Sequence, residues 1–371
     1  SEPSSSFDGD ALEFPVVQAL LTARLLSPLG RTAVEALRPC ATVAEATQQH
    51  AATEVLVQRM RDGNALPLSG AIEVRSWLGR FFAGEHSMQA RDAADLKRVL
   101  RTSDRCRRWC ATGGDALQAV VAGAPDIADL VEDLEQVVDD RGEVMDSASA
   151  KLAAIRQNIE THKRAVDSAM ANVLGRGAVR RCLQAPEPSW RPGRPAWPGT
   201  SDYRQHVRGV LHDRSTSGAT LFVEPEAVVE VANRLSDEQA AENREINVVL
   251  ADAARSLRRY SEEIGASVVF VARADLAQAK ARLVVEDGYT VPTVAAAGAM
   301  RLRGARHPLL LQAQDRSEIV PLDIALGDPH HLVVVTGPNT GGKTVVLKTV
   351  GLLSLMAVSG VPIPADVGAE V

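Results

Sequence analysis

Hydrophobic positions along the chain repeat mainly at helical spacing. From Ala11 to about Val138 apolar residues recur every three or four positions, and clusters of glycine or proline interrupt the pattern. This pattern predicts a compact helical core over residues 11–138. The serine-rich residues 1–10 lack the periodicity, and we expect them to form a disordered tail.

Two longer amphipathic segments follow the predicted core. The first covers residues 139–174, and the second starts at Glu226 and keeps its apolar face to about Ile264, with polar interruptions at Gln239 and Glu242. A helix of 39 residues would be roughly 58 Å long. Two long helices on either side of a non-helical insert predict an antiparallel arm, with the second helix and its return to the core covering 226–284. The alternative is an ordinary helical hairpin packed on the core.

The insert between these helices, residues 175–225, begins with prolines and glycines and then becomes strand-like. Val207–Leu211 and Ala219–Val223 are candidate strands around a turn, which predicts a small β-containing tip. Residues 151–214 include 12 Lys or Arg and 5 acids, an excess of +7 in a chain with a net charge of −6. This excess predicts contact with a phosphate backbone, although a solvated surface is the simpler alternative. Trp190, Trp197 and Tyr203 lie nearby for base stacking. The candidate nucleic-acid-binding residues are Arg180, Arg181, Arg191, Arg194, Arg204, Arg208 and Arg214.

Residues 285–371 contain the most specific motif of the chain. The β-branched run Leu332–Val335 is typical of a buried strand in a parallel sheet, and it leads into G-x-x-x-x-G-K-T and a predicted helix over 345–356. Such a loop wraps backbone donors around phosphates, with Lys343 at the β- and γ-phosphates and the Thr344 hydroxyl on Mg²⁺. The sequence therefore predicts ATP and Mg²⁺ as cofactors. The candidate nucleotide-binding residues are Gly337, Pro338, Asn339, Thr340, Gly341, Gly342, Lys343 and Thr344.

Hydrolysis of ATP needs further groups. An acidic residue at the end of a second hydrophobic strand commonly helps to hold Mg²⁺. The chain ends 28 residues after Lys343, and Asp366 and Glu370 lie in a stretch rich in proline and glycine. We therefore expect a phosphate-binding loop without a complete hydrolytic site, and we assign no catalytic residue.

Composition supports a helical fold. Apolar residues make up 45% of the chain and aromatic residues only 4%, which favours helices over a β-sandwich. No stretch approaches 18 consecutive apolar residues, so we expect a soluble, cytoplasmic protein. The predicted fold class is mixed but predominantly α. It comprises a helical core, long antiparallel helices with a small β-containing tip, and the front part of an α/β P-loop ATPase domain.

Several separated blocks resemble one protein family. Residues 336–349 resemble the P-loop of the MutS family of ABC-type ATPases. Residues 209–225, Gly-Val-Leu-His-Asp-Arg-Ser-Thr-Ser-Gly-Ala-Thr-Leu-Phe-Val-Glu-Pro, resemble the segment between the two lever helices in its second bacterial subfamily, the MutS-two paralogues. Further blocks with this resemblance are 11–14, 27–30, 140–156 and 306–308. The resemblance extends over nearly the whole chain from about residue 11.

The resemblance implies a homodimer whose levers and clamp close on mismatched or branched DNA, in DNA repair or suppression of recombination. ATP binding would control the clamp, which would correspond to residues 175–225. The acidic Mg²⁺-binding strand, the ABC signature loop and the Smr nuclease module of the subfamily are not matched. Phe222–Glu224 matches the mismatch-wedge triplet by letters only, so we expect Phe222 in the core. A ribosome-associated factor that contacts rRNA and splits stalled ribosomes is the alternative, and a catalytically silent fragment is a third possibility.

Overall fold

The computed structural model describes residues 9–175, 177–181, 183–184, 189–191, 193–200, 207–216, 219–295, 299–327, 330–337 and 342–371. The fold is predominantly helical with small antiparallel sheets, which confirms the predicted fold class. Two compact units are present. The first comprises Ser1–His86, Ala94–Glu132 and Arg259–Val371, and the second comprises Ser87–Ala93 and Asp133–Arg258. None of the described helices is long and apolar enough to cross a membrane.

The α-helices are α1 (Phe14–Thr22), α2 (Gly30–Glu35), α3 (Val43–Arg61), α4 (Arg75–Phe82), α5 (Ala90–Ala111), α6 (Gln118–Val121), α7 (Ala128–Val137), α8 (Ala150–Leu174), α9 (Gly177–Arg181), α10 (Glu226–Arg258), α11 (Ser261–Asp287), α12 (Pro308–Ala313) and α13 (Lys343–Val358). The strands are β1 (Ser189–Arg191), β2 (Arg194–Gly199), β3 (Gly209–Arg214), β4 (Leu221–Pro225), β5 (Met300–Ala305) and β6 (Leu322–Leu326). Short 3₁₀ turns occur at Asp115–Leu117 and Asp146–Ala148.

The first unit has a hydrophobic core to which the last residues of the chain contribute. Phe14 and Val17 of α1 and Leu352 of α13 are buried in one cluster with Val361 and Ile363. The segment after α13, which is rich in proline and glycine, is therefore part of the core. Its backbone pairs with neighbouring segments, because Ile363 exchanges two hydrogen bonds with Thr290, at 2.8 and 2.9 Å.

A buried carboxylate organises the loop between α1 and α2. Asp275 of α11 is 0% exposed, and its two oxygens accept hydrogen bonds from the backbone N–H of Leu26 at 2.9 Å and of Ser27 at 2.8 Å. The Ser27 hydroxyl donates a third hydrogen bond at 2.7 Å. A Cβ on Gly30 would lie 2.7 Å from the Asp275 carboxylate, so this close approach favours glycine.

The second unit contains an antiparallel helix pair, as the sequence predicts. Contacts run from Ser149 with Glu245 to Asn158 with Glu238, so residue numbers rise on α8 as they fall on α10. Ile155, Ile159 and Met170 of α8 pack in one cluster with Val228 and Leu235 of α10. This part of the arm prediction is confirmed.

Both lever helices are shorter than predicted. The first begins at Ala150 instead of residue 139, because Gly142 turns the chain with a φ of 86° and the Ser149 side chain caps the helix at the Leu152 N–H. The second helix ends at Arg258, and a new helix begins at Ser261. The break near residue 259 interrupts the apolar repeat that suggested one helix to Ile264.

The insert predicted to form the clamp contains a four-stranded antiparallel sheet in the order β1-β2-β4-β3. Trp197 of β2 is 2% exposed, and Phe222 of β4 is buried, which confirms the prediction that Phe222 belongs to the core. Glu224 of β4 is 0% exposed and forms an ion pair with Arg194 at 2.8 Å. His212 of β3 approaches the same carboxylate at 2.6 Å. A buried charge needs such partners, because an isolated carboxylate in this position would be strongly destabilising.

The predicted parallel strand before the P-loop is wrong for the described structure. Leu332–Val335 has no strand conformation, and Leu332 and Val334 are 80% and 71% exposed. A parallel strand obtains its hydrogen bonds and its cover from neighbouring elements. No strand in the described part of the chain pairs with these residues, and the nearby two-stranded sheet pairs β5 with β6.

Candidate functional site

The described P-loop residues lie at the exposed N-terminus of α13. Gly342 caps the helix with a φ of 78°, and Gly337 has a φ of 149° at the entrance to the loop. Both values lie in the region that favours glycine. A Cβ added at either position would meet no described atom within 4 Å, so the space beside the helix end is open. A helix N-terminus with open space beside it can accept phosphate groups, because the N–H groups of a first helical turn and the helix dipole both favour an anion.

Lys343 contacts the first glycine of the motif. Its Nζ donates a hydrogen bond to the carbonyl oxygen of Gly337. Thr344 is exposed in the first turn of α13. The structure thus brings together four of the predicted residues, Gly337, Gly342, Lys343 and Thr344. Pro338, Asn339, Thr340 and Gly341 lie outside the described residues.

The opposite end of α13 is buried and held by polar groups. His50 Nε2 lies 2.8 Å from the Ala357 carbonyl oxygen, and the Cys40 N–H donates to Val358 at 2.9 Å. Lys280 of α11 donates to Gln49 Oε1 at 2.7 Å and approaches the Ser359 carbonyl oxygen at 3.4 Å. These groups satisfy carbonyls that a helix C-terminus leaves without partners.

Burial shifts the pKa of two of these groups. It lowers the pKa of Lys280 from 10.5 to about 8, and that of His50 from 6.5 to about 4. His50 is therefore neutral in the folded protein near neutral pH, with Nε2 donating to Ala357. Sequence reasoning missed both residues, although a lysine between two alanines in an otherwise buried helical stretch was a usable signal.

A third contact holds the middle of α13. Lys348 Nζ donates to Glu13 Oε1, and His307 Nε2 lies 3.7 Å from Glu13 Oε2. Glu13 and His307 belong to the blocks at 11–14 and 306–308 that carry the family resemblance. The sequence motifs identified these two blocks, but they gave no indication that the blocks contact the P-loop helix.

The predicted nucleic-acid-binding arginines fall into three groups. Arg180 and Arg181 on α9, Arg208 just before β3 and Arg214 at the end of β3 are exposed. Arg194 is only 19% exposed at its side chain and is bound to the buried Glu224, so its guanidinium stabilises the clamp fold. Arg204 and the side chain of Arg191 lie outside the described residues.

Part of the positive charge of the arm is neutralised by acids that are distant in sequence. Lys151 pairs with Glu245 at 2.7 Å, and Arg156 pairs with Glu242 at 2.7 Å and with Asp146 at 2.5 Å. These acids lie outside the stretch 151–214 that gave the excess of +7. These pairs lie at the start of α8, so they lower the net positive charge at that end of the helix pair.

The aromatic residues of the clamp differ in accessibility. Trp190 of β1 is 51% exposed, whereas Trp197 is one of the largest fully buried side chains of the chain. Tyr203 lies outside the described residues. Only Trp190, among the described members of this set, is accessible for stacking.

Comparison with known proteins identifies relatives over nearly the full length of the chain. A protein named endonuclease MutS2 from Geobacillus sp. is 35% identical over 369 residues, which covers 97% of this chain and 46% of the relative. Proteins of the same name from Bacillus velezensis and Symbiobacterium thermophilum are 34% and 33% identical, again over 97% of this chain. The chain thus spans about half the length of these relatives. No family model matches the sequence.

Proposed function

Because this chain belongs to the MutS family, we propose that it is the core, lever and clamp part of a DNA-binding protein whose clamp is controlled by ATP. In this proposal the clamp sheet and its exposed arginines contact the DNA backbone. ATP with Mg²⁺ binds at the N-terminus of α13. The preferred DNA is branched or mismatched, and the functional form is a homodimer.

The exposed N-terminus of α13, with open space beside Gly337 and Gly342, is the observation that carries the proposal. Gly337 and Gly342 would let the backbone approach the phosphates, Lys343 would exchange the Gly337 carbonyl for a phosphate oxygen, and Thr344 would ligate Mg²⁺. Bound ATP would supply a cluster of negative charge that pulls on this helix end. We propose binding without assigning hydrolysis, because the backbones of Asp366 and Glu370 pair with β5 and neither acid gains a catalytic role from its position.

Removing the ammonium of Lys343 tests the nucleotide site. We expect Lys343→Ala to weaken ATP binding in the presence of Mg²⁺ at least about tenfold, because one charge-assisted contact to the phosphates is lost. Isothermal calorimetry measures the affinity, and circular dichroism checks that the helical fold is retained. Lys163→Ala, which removes a lysine on α8, is the control. Equal ATP affinity in the wild type and Lys343→Ala would contradict the assignment.

Removing two clamp arginines tests the nucleic-acid face. We expect Arg208→Ala/Arg214→Ala to reduce binding to a four-way DNA junction and to lower the slope of log K against log salt by about 2, roughly one for each lost phosphate contact. Arg244→Ala is the matched control, because Arg244 is exposed on the same unit, about 27 Å along α10 from its first residue. Fluorescence anisotropy over a salt series measures both quantities. An unchanged slope in the double variant would rule out this face.

The same variants separate DNA from ribosomes as the target. Co-sedimentation with ribosomes is measured beside junction binding at equal salt, since rRNA and DNA present the same phosphate charge. Junction binding that depends on Arg208 and Arg214, without retention on ribosomes, supports the DNA clamp. Retention on ribosomes without junction binding would replace it with the ribosome-associated alternative.

A further inference from the structure

Three blocks of the sequence meet at one carboxylate beside the P-loop helix. Glu13 lies at the start of α1, His307 precedes α12, and Lys348 lies within α13. Lys348 Nζ donates to one oxygen of Glu13 across a sequence separation of 335 residues. All three residues belong to the first unit. The contact therefore joins the first helix of the fold to the helix that begins at Lys343.

The backbone of Glu13 is unusual for a residue with a side chain. Its φ is 60° and its ψ is 30°, and within the described residues it is the one non-glycine position with a positive φ. A Cβ makes this left-handed conformation unfavourable, and such residues often mark functional positions. Glycine would occupy the position without this cost, so local backbone preference does not account for a glutamate here. What a glutamate adds at this position is a carboxylate, which accepts the hydrogen bond from Lys348.

Both oxygens of the carboxylate face positive or donor groups. The hydrogen bond from Lys348 holds the pKa of Glu13 below its usual range, so Glu13 is charged at neutral pH. His307 is 4% exposed, and its Nδ1 accepts from the Leu309 N–H at 3.3 Å, which leaves the proton on Nε2. This Nε2 finds no hydrogen-bond partner in the described part of the chain and lies 3.7 Å from Glu13 Oε2. A displacement of about 0.5 Å would complete that hydrogen bond.

We propose that Glu13 is a positioning residue for the P-loop helix. Its carboxylate binds Lys348 and so fixes the position of α13 along the helix axis and its rotation about that axis. His307 can donate a second hydrogen bond to Glu13 if the helix shifts. Lys348 lies five residues after Lys343, about 7.5 Å along the helix, so a displacement at one residue is passed to the other. The consequence for ATP rests on the proposed nucleotide site, whereas the hold on the helix does not.

Hydrogen exchange tests the hold on the helix without nucleotide. Glu13→Gln removes the charge and keeps the shape, Lys348→Met removes the partner, and Glu35→Gln is the control on the exposed face of α2. We expect amides in residues 346–350 to exchange at least tenfold faster in Glu13→Gln and Lys348→Met. The double variant should show no additional increase, because both changes remove one interaction. Unchanged exchange in these amides would overturn the proposal whether or not the chain binds ATP.

ATP titration then distinguishes positioning from simple stabilisation. We expect the affinity for ATP with Mg²⁺ to fall about tenfold in Glu13→Gln and in Glu13→Gly, at a temperature where all variants are folded. Glu13→Gly also relaxes the backbone, so its melting temperature should not fall below that of Glu13→Gln. A lower melting temperature with unchanged ATP affinity in both variants would show that Glu13 serves stability alone. If the wild type itself does not bind ATP, the proposed nucleotide site fails, and the exchange result still decides the role of Glu13.

Discussion

Replacing Asp275 by alanine is expected to lower the free energy of unfolding of the first unit by roughly 3 to 5 kcal/mol. The change removes the acceptor of three hydrogen bonds, from the Leu26 N–H, the Ser27 N–H and the Ser27 hydroxyl. Each buried donor left without a partner costs about 1 to 3 kcal/mol. Asp275 itself is 0% exposed and Ser27 is 6% exposed, so water does not readily replace the lost carboxylate. The loop between α1 and α2 would lose its main attachment to α11.

Urea unfolding followed by hydrogen exchange of α11 amides measures this loss. Asp275→Asn keeps the shape but turns an N–H₂ group toward a donor, so its cost should lie between those of the wild type and alanine. Asp315→Ala, at an exposed position in the same unit, should change the stability by no more than about 0.5 kcal/mol. A loss below about 1 kcal/mol in Asp275→Ala would show that the buried carboxylate does not organise this loop.

Lowering the pH from 7 to 4 is expected to destabilise the first unit by roughly 3 kcal/mol through His50 alone. Burial lowers the pKa of His50 in the folded protein from 6.5 to about 4. Between these values the unfolded chain binds a proton that the folded chain does not, so the free energy of unfolding decreases as the pH falls. Each pH unit in this window contributes about 1.4 kcal/mol. The contribution of His50 is fully retained above pH 6.5.

The difference between the wild type and His50→Gln isolates this effect. Glutamine can still donate to the Ala357 carbonyl but does not titrate, so the variant should lose less stability on acidification. Burial also lowers the pKa of His307, but that residue is present in both proteins and cancels in the comparison. His331→Gln, at an exposed position, is the control. Parallel stability curves for the wild type and His50→Gln between pH 7 and 4 would contradict the assignment.

Helical periodicity and the P-loop motif were sufficient to predict the fold class and the helix that begins at Lys343. They could not predict the state of Leu332–Val335, because a run of β-branched residues becomes a strand only where neighbouring strands complete its hydrogen bonds. The exposure of Leu332 and Val334 reflects the lack of such a neighbour among the described residues. Local pattern thus indicated the potential of this segment, and tertiary context decided its conformation.

Charge was harder to predict than helix position. The excess of +7 was a sum along the sequence. The acids that pair with Lys151 and Arg156 lie on α10, about 90 residues away in the sequence. The same limit applies to Glu13, His307 and Lys348, whose meeting point depends on three segments folding together. Sequence spacing identifies neighbours within a helix, but it contains no direct measure of pairs formed between distant segments.

The charged contacts between α8 and α10 have a mechanical consequence. Sliding one helix past the other by a single turn, about 5.4 Å, would separate Arg156 from Glu242 and Lys151 from Glu245 at the same time. Bending the pair leaves these contacts in place, so the arm resists shear more strongly than it resists flexing. A pull on one helix is therefore shared by both over the length of the shorter partner, the 25-residue α8, about 38 Å.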